Sequence, residues 1–312
     1  MKLRTTENIS QCRELWRRYV PQDCFFNLWE VRECFHLTFG NEPFFVTAEE
    51  NGVLCGLLAL CRNGSGKGVS FFPGELYGGR TWLEQNVIYA SSHRALETLL
   101  GALPNEGEVR YLRAAGGLLE TFCDEDELNY SLLPPALDYD FDRYLAGMDG
   151  KYRRNLLREL RQFDAEVRLN NFADIDAMLD LNLQNFGSHS YFADSRFLAG
   201  FRRMLGYARY MEALRVTTML VDGQIAAVDV GVTHANRHTV LAGGTNPLFK
   251  GIAKHINIHH IKWALESRLG RVDFLCGDFG WKDKFALHAE PLYKLSREKI
   301  AVQLPVAEEC MI

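Results

Sequence analysis

No run of about 18 apolar residues occurs in this chain, so no helix capable of crossing a bilayer is expected. The first ten residues, MKLRTTENIS, are polar and contain no leader-like apolar segment. Positive charge is also in short supply: 35 Lys+Arg stand against 40 Asp+Glu, a net −5 at pH 7. That balance argues against a protein built mainly to grip nucleic acid, while leaving room for a local basic patch. The eight cysteines include no C-x-x-C and no paired spacing, which speaks against a disulfide framework or a cysteine zinc site. Reduced thiols and the absence of a leader point to the cytoplasm, with no membrane partner. Proline is sparse, and two occur consecutively only at Pro134-Pro135.

What is present fits a soluble chain with a full core: 47% hydrophobic and 24% charged residues. A length of 312 residues suits two domains of about 150 each better than one. The prolines break regular structure between Leu132 and Tyr139, so the expected domains are 1–135 and 136–312. In the first half, a helix is expected over Thr6–Tyr19 with Asn8 or Ser10 as cap. Phe44–Ala48 and Val53–Cys61 read as strands joined at Asn51-Gly52, followed by a strand near Val69–Phe72. A glycine-rich loop (Pro73–Arg80), a helix (Ser92–Leu103) and a strand (Val109–Ala114) complete it.

The second half repeats that order without repeating the residues. Asp140–Ala146, Lys151–Phe163 and Phe172–Phe186 read as helices. Arg215–Val221 and Gln224–Val232 form a hairpin around Asp222-Gly223, and a third strand, His238–Gly243, ends at Gly244. A turn at Gly251–Ala253 opens a long helix that stops at Gly270, and a short apolar strand, Val272–Leu275, follows. The fold class is therefore α/β (α+β), two tandem domains each with a mixed, mostly antiparallel sheet flanked by helices.

A strand end, a glycine turn and a helix N-terminus form a natural anion cradle, because unpaired amides and the helix dipole point the same way. Lys250, Gly251, Ile252, Ala253 and Lys254 are its candidate phosphate ligands, against the plainer reading of a glycine-started helix with surface lysines. Asp278, Lys282 and Lys284 lie just past an apolar strand, where functional groups gather in open sheets, or else form a structural ion pair. Asp229 sits mid-strand among alanines and valines: facing the core it suits a general base, facing outward it is merely solvated. Arg153, Arg154, Arg158 and Arg161 share a helical segment, either as a wet face or as a surface for a polyanion. His255, His259 and His260 raise a metal reading, the first two being i, i+4, but the H-E-x-x-H glutamate and a third ligand nearby are missing, so a packed or surface helix and no metal are expected. Gly64–Gly68 fails as a P-loop, since no Ser or Thr follows Lys67, and reads as a hairpin turn.

Three stretches of the second half resemble the GNAT acyltransferase superfamily, specifically its tandem-domain, FemAB-like branch. Asp140–Phe163 is similar to that branch's basic helix, with its Lys-x-Arg-x-Asn pattern. Met219–Pro247 is similar to its central hairpin and Gly-Gly turn. Gly251–Phe285 resembles its turn-helix-strand unit followed by Gly277, Asp278, Trp281, Lys282 and Phe285. The likeness covers Leu137–Leu295; the first half shares only element order and the Tyr77-Gly78-Gly79 loop. Leu248 stands where the family's CoA-binding turn carries Arg or Gln, and Trp281 where its signature has Tyr.

The resemblance implies two tandem GNAT-like domains and an N-acyltransferase taking acetyl-CoA, another acyl-CoA or an acyl carrier protein thioester to a primary amine. Direct attack requires no protein nucleophile. It implies catalytic roles for Asp229, Asp278, Lys282 and Tyr293, the last as acid for the leaving thiolate or as a packed aromatic. Tyr77, Gly78 and Trp281 would line the acceptor site. Two rivals stand beside it: an aminoacyl-tRNA-dependent FemAB-like peptidyltransferase, with tRNA held by the arginine helix, and an inactive GNAT-like binding module.

Overall fold

Asn51-Gly52 and Asp222-Gly223 both turn with positive φ at each residue (52° and 79°, 51° and 74°) in the computed structural model. That mirror-image turn matches the right-handed twist of the strands it joins. The structure describes residues 1–64, 68–76, 82–114, 121–277, 280–298 and 300. Ser65–Lys67 of the expected hairpin turn, the Tyr77-Gly78-Gly79 loop and Asp278 lie outside these residues. By internal packing the chain divides into two units, Met1–Glu127 with Ala199–Phe201 and Pro291–Ile312, and Leu128–Leu198 with Arg202–Glu290.

Unit 1 begins with β1 (Lys2–Thr6), α1 (Ile9–Tyr19) and α2 (Trp29–Phe39). The strands β2 (Glu42–Glu50), β3 (Val53–Arg62), β4 (Val69–Phe71) and β5 (Tyr89–Ala90) follow, then α3 (His93–Gly101) and β6 (Glu108–Leu112). Asn8 caps α1 by accepting from the Ser10 and Gln11 amides, and Ser92 caps α3 through the Ala95 amide. The sheet runs β1-β2-β3-β4 with β5 also on β3, and every one of these pairings is antiparallel. Its core centres on Trp16, ringed by Trp29, Phe45, Phe71 and Phe72. Arg32 lies buried under them, donating to the carbonyls of Phe26, Phe72 and Glu84. Burial pulls its pKa down to about 9, because carbonyl dipoles repay only part of the lost hydration.

Unit 2 is built from β7 (Asp124–Leu132), α4 (Phe141–Ala146), α5 (Gly150–Glu159), β8 (Ala165–Leu169), α6 (Asp174–Phe186) and α7 (Ser195–Tyr210). Next come β9 (Leu214–Val221), β10 (Gln224–His234), β11 (Arg237–Thr245), α8 (Ile252–Glu266) and β12 (Arg271–Asp273). Two of these elements, β7 and α7, have residues assigned to both units. The last strand, β13 (His288–Ser296), begins in unit 2 and from Pro291 belongs to unit 1, where Tyr293 and Leu295 pair with β6. The sheet order in unit 2 is β7-β12-β11-β10-β9-β8, antiparallel except for the β11–β12 pair. That parallel pairing is brief: Arg237–Thr239 meet Arg271–Asp273 and the register goes no further.

The two faces of this sheet carry different cargo. On one face Asp174 of α6 accepts from Arg168 of β8 and from Thr218 of β9 at 2.6 Å, tying helix to sheet. On the other, Ile252 and Ile256 of α8 pack on Met219, Ala226 and Ala227. Farther along α8, Ile258, Ile261 and Leu265 meet Tyr144, Leu145 and Leu156 of α4 and α5. Each such buried isoleucine contributes about 1.5–3 kcal/mol.

Both units run helices, an antiparallel meander, a helix and a strand, in the expected order. Several expected boundaries move. β11 continues through both glycines to Thr245 instead of turning at Gly244, α5 stops at Glu159, short of Phe163, and α8 ends at Glu266. Arg161 therefore lies in the turn after α5 and does not share a helix with Arg153, Arg154 and Arg158.

Candidate active site

The segment from β11 to α8 is held by Asn246. Its amide donates to the Ala226 carbonyl at 2.8 Å, and its Oδ1 accepts from the Leu248 amide at 3.0 Å. Phe249 then packs against Phe163 and brings the chain to Gly251, whose φ of +95° only glycine adopts without strain. α8 starts there with no side-chain cap, and two of its first amides are already engaged: Ile252 donates to the Phe249 carbonyl at 3.1 Å and Lys254 to the Gly251 carbonyl at 3.0 Å. Leu248 is 80% exposed, and Lys250 and Ala253 are exposed, while Ile252 is buried in the core.

A carboxylate already stands at this helix start. Glu159, the last residue of α5, pairs with Lys254, and its backbone carbonyl lies 3.2 Å from His255 Nε2. Its Oε2 lies 4.0 Å from where a Gly251 Cβ would be. A negative group at a helix N-terminus is stabilised by the dipole, so Glu159 sits where a ligand phosphate would. Lys254, expected to bind a phosphate, has its charge engaged by Glu159 instead.

The arginine helix divides in the same way. Arg153 is half-buried and donates to the Leu145 carbonyl at 3.4 Å, whereas Arg154 and Arg158 are exposed one turn apart. Arg154 and Arg158 thus present basic charge on the exposed side of α5.

Lys282 is 2% exposed, and its Nζ donates to the carbonyls of Phe274, Leu275 and Cys276 at 2.9, 2.8 and 2.7 Å. An ammonium has three protons, and three carbonyls take them. They converge because the backbone turns sharply at Leu275, at φ 62°. Lys282 thus clamps the chain leaving β12, and action on an acyl carbonyl would require breaking these bonds. Trp281 stands edge-on to Phe274 and Phe285, at 5.6 and 5.0 Å between ring centroids. Tyr293 is 7% exposed in the core of unit 1, paired with Leu112.

Asp229 lies mid-β10, opposite Thr217 of β9 and Gly243 of β11, and faces α8. His260 Nε2 meets its Oδ2 at 3.0 Å; His260 is fully buried, and the Asp229 side chain keeps 8% exposure. The other oxygen, Oδ1, lies over Gly243: a Cβ there would stand 2.0 Å from it. Gly244 clears the opposite face, where a Cβ would come within 2.5 Å of the Met178 carbonyl of α6. Beyond Thr239, where β12 no longer pairs, Asn182 and Asn185 of α6 donate to the carbonyls of Gly243 and Thr245, each at 2.8 Å. The arrangement can hold a charged oxygen at a glycine-cleared strand end, beside a helix start that attracts anions.

His260 stands out in the sequence only beside His255 and His259, in the metal question, and nothing there marks it as the partner of Asp229. Its one signal is position: Ile252, Ile256 and His260 recur every fourth residue along the buried stripe of α8. A histidine on that stripe needs a polar partner, and a carboxylate in an apolar strand needs one as well. Among the described residues no group of three or more His, Cys, Asp or Glu could hold a metal ion.

Residues 150–283 match the GNAT acetyltransferase domain family. No curated protein matches the sequence. Among solved structures, FemX shares the fold with a TM-score of 0.60 at 9% identity, over 97% of this chain and 100% of that one. A GNAT-family acetyltransferase from Colwellia psychrerythraea aligns at TM-score 0.51 and 11% identity, covering 94% and 98%. L-PGS from Bacillus licheniformis aligns at 0.50 and 10%, covering 88% and 93%.

Proposed function

On the premise that residues 150–283 are a GNAT acetyltransferase domain, we propose that this protein is an N-acyltransferase joining a primary amine to an activated acyl group by direct attack. The observation that carries this reading is Asp229, with Oδ2 held by His260 and Oδ1 over Gly243 at the end of β11. An amine attacks only after its ammonium has lost a proton, and a positioned carboxylate can take it. Backbone amides along the edge of β11, unpaired with β12 beyond Thr239, polarise the acyl carbonyl. The acyl–sulfur or acyl–oxygen bond of the donor breaks, the amide bond forms, and the proton from the amine goes to Asp229. Asp278, Lys284, Tyr77 and Gly78 stay with the acceptor side of this scheme. Lys282 and Trp281 shape the turn beside it, and Tyr293 as acid for the leaving group belongs to the same proposal.

The donor in this scheme is a thioester of CoA or of an acyl carrier protein, with its phosphates at Lys250, Gly251, Ile252 and Ala253. Glu159 favours a second reading: its carboxylate and its pairing with Lys254 disfavour a diphosphate at the same spot. Arg154 and Arg158, exposed and unpaired with any acid among the described residues, suit a longer polyanion. An aminoacyl-tRNA donor, as in the FemAB-like branch, meets both conditions.

Thermal melting with acetyl-CoA, longer acyl-CoAs and aminoacyl-tRNA separates the donors, because a ligand that binds only the folded state raises Tm. A shift with CoA thioesters supports the first reading; salt-sensitive binding of tRNA, lost on replacing Arg154 and Arg158, supports the second. With the donor in hand, Asp229→Asn is expected to cut turnover by roughly 10²–10⁴-fold with Tm nearly unchanged. Full activity in that variant rules Asp229 out as the base, and binding without any turnover leaves a GNAT-like binding module.

A further inference from the structure

The Asp229–His260 pair continues into the sheet. His238 of β11 is fully buried, and its Nδ1 lies 3.0 Å from Thr233 Oγ1 on β10. The rings of His238 and His260 are 5.6 Å apart between centroids, inclined by 33°, with no direct hydrogen bond between them. Each ring keeps one buried nitrogen without a protein partner, Nε2 on His238 and Nδ1 on His260. Thr217 Oγ1, on the strand position paired with Asp229, is likewise buried and unpartnered. These three atoms sit on three neighbouring elements, and a buried polar atom in a packed core usually finds a partner.

Glycine makes the room. A Cβ on Gly231 would stand 2.6 Å from both Cε1 and Nε2 of His238. The register shift between Val230 and Gly231 leaves Leu241 as an extra residue on β11, and this bulge re-aims β11 on its way from His238 to Gly243. Trp263 closes the far side, edge-on to His238 at 4.9 Å, with the Arg215 guanidinium 3.7 Å over its own ring.

We propose that His260 Nδ1 and His238 Nε2 are bridged by one buried water, so that Thr233, His238, the water, His260 and Asp229 form a one-way hydrogen-bond chain ending on the carboxylate. The donors and acceptors fix the direction. Asp229 as a carboxylate only accepts, so His260 carries its proton on Nε2 and offers Nδ1 as acceptor. The water donates to that nitrogen and accepts from Nε2–H of His238. Nδ1 of His238 is then the acceptor, and Thr233 Oγ1–H donates to it. In this chain both imidazoles carry a proton on Nε2, and every member is satisfied. A buried water makes about three hydrogen bonds, and Thr217 Oγ1, buried and unpartnered on the strand position paired with Asp229, is the candidate for the third.

The titratable and charged groups around the two rings are Asp229 on β10, Arg215 on β9, and His259 and Lys262 on α8. Burial, then the neighbouring His260 and Arg215, hold His238 well below its ordinary pKa, consistent with a neutral ring. The chain rests on the reading of Asp229 as proton acceptor only for its purpose: it makes His238 and Thr233 positioning residues that set the orientation and basicity of His260.

Nitrogen-15 NMR of the histidine-labelled full chain reads tautomer and charge directly, without substrate. The expected result is Nε2–H signals for His238 and His260, with the His238 ring neutral at pH 7. Thr233→Val removes the donor at nearly constant volume and should release His238 to the other tautomer or a mixture, with the far-ultraviolet spectrum unchanged. A His238 ring protonated on Nδ1 in the native chain, or charged at pH 7, overturns the chain, as does an unchanged tautomer in the Thr233 variant. Because no turnover is needed, this outcome is independent of the acyltransferase reading. If turnover is found, Thr233→Val should also shift the acid limb of the kcat/KM pH profile, which a purely structural change would leave in place.

Discussion

Two adjacent glycines in β11 do different jobs, and the sequence alone presents them as one Gly-Gly turn. Gly243 leaves space for Asp229 Oδ1 on the face covered by α8, and Gly244 leaves space for the α6 backbone on the other. Their substitutions should therefore separate. In Gly243→Ala the new methyl would stand 2.0 Å from the carboxylate oxygen, so the carboxylate must move. A displaced base costs on the order of 10²-fold in turnover, with a modest fall in stability. In Gly244→Ala the methyl meets backbone, 2.5 Å from the Met178 carbonyl, and helix and strand must part. Overpacking of that kind costs roughly 1–3 kcal/mol. Turnover and urea denaturation of the two variants decide it; equal effects on both measurements would refute the division of labour.

At the scale of elements, what could be read from sequence was whatever local chemistry dictates. The Asn-Gly and Asp-Gly hairpins, the cap at Asn8 and the Gly251 helix start appear where local rules place them, while Ser92 and Asp140, expected as the first residues of their helices, prove to be the caps. Harder to read were β1, short and largely polar, and β8, whose apolar alternation spans only five mostly exposed residues; both pair with a neighbour, β1 with β2 and β8 with β9. The helix α7 also went unread, and the partner of Asp229 lies 31 residues away on another element, a pairing that no local pattern encodes. The relation of α5 to α8 was equally hidden, since nothing in the sequence joins Glu159 to Gly251. It yields a direct test of the anion cradle. Glu159→Gln keeps the shape, removes the charge from the start of α8 and frees Lys254. If donor phosphates bind there, affinity for a CoA thioester should rise several-fold, about 0.5–1 kcal/mol for one charge near a helix end. Calorimetric titration giving the same Kd in both proteins would move the phosphates elsewhere and strengthen the polyanion reading.

For the molecule as a whole, the most general consequence of these buried polar groups is a dependence of stability on pH. His36 in unit 1 and His238, His255 and His259 in unit 2 are all held below the ordinary histidine value of 6.5, chiefly by burial, His259 down to about 4. A group whose folded pKa is depressed binds protons more readily when unfolded. Its contribution is complete above 6.5 and is lost as the pH falls towards the folded value. Most carboxylates are still ionised between pH 6.5 and 5, so loss of stability in that window is assigned to these histidines. Unit 2 carries three of the four, two of them on α8, and should yield first. Hydrogen exchange followed peptide by peptide, corrected for intrinsic rates, should show α8 and β9–β11 losing protection between pH 7.5 and 5.5 while β2 and β3 change little. His259→Gln should flatten that response, because a glutamine at the same place has no proton to gain. Uniform loss across both units, or an unchanged response in the variant, would place the acid sensitivity in the carboxylates instead.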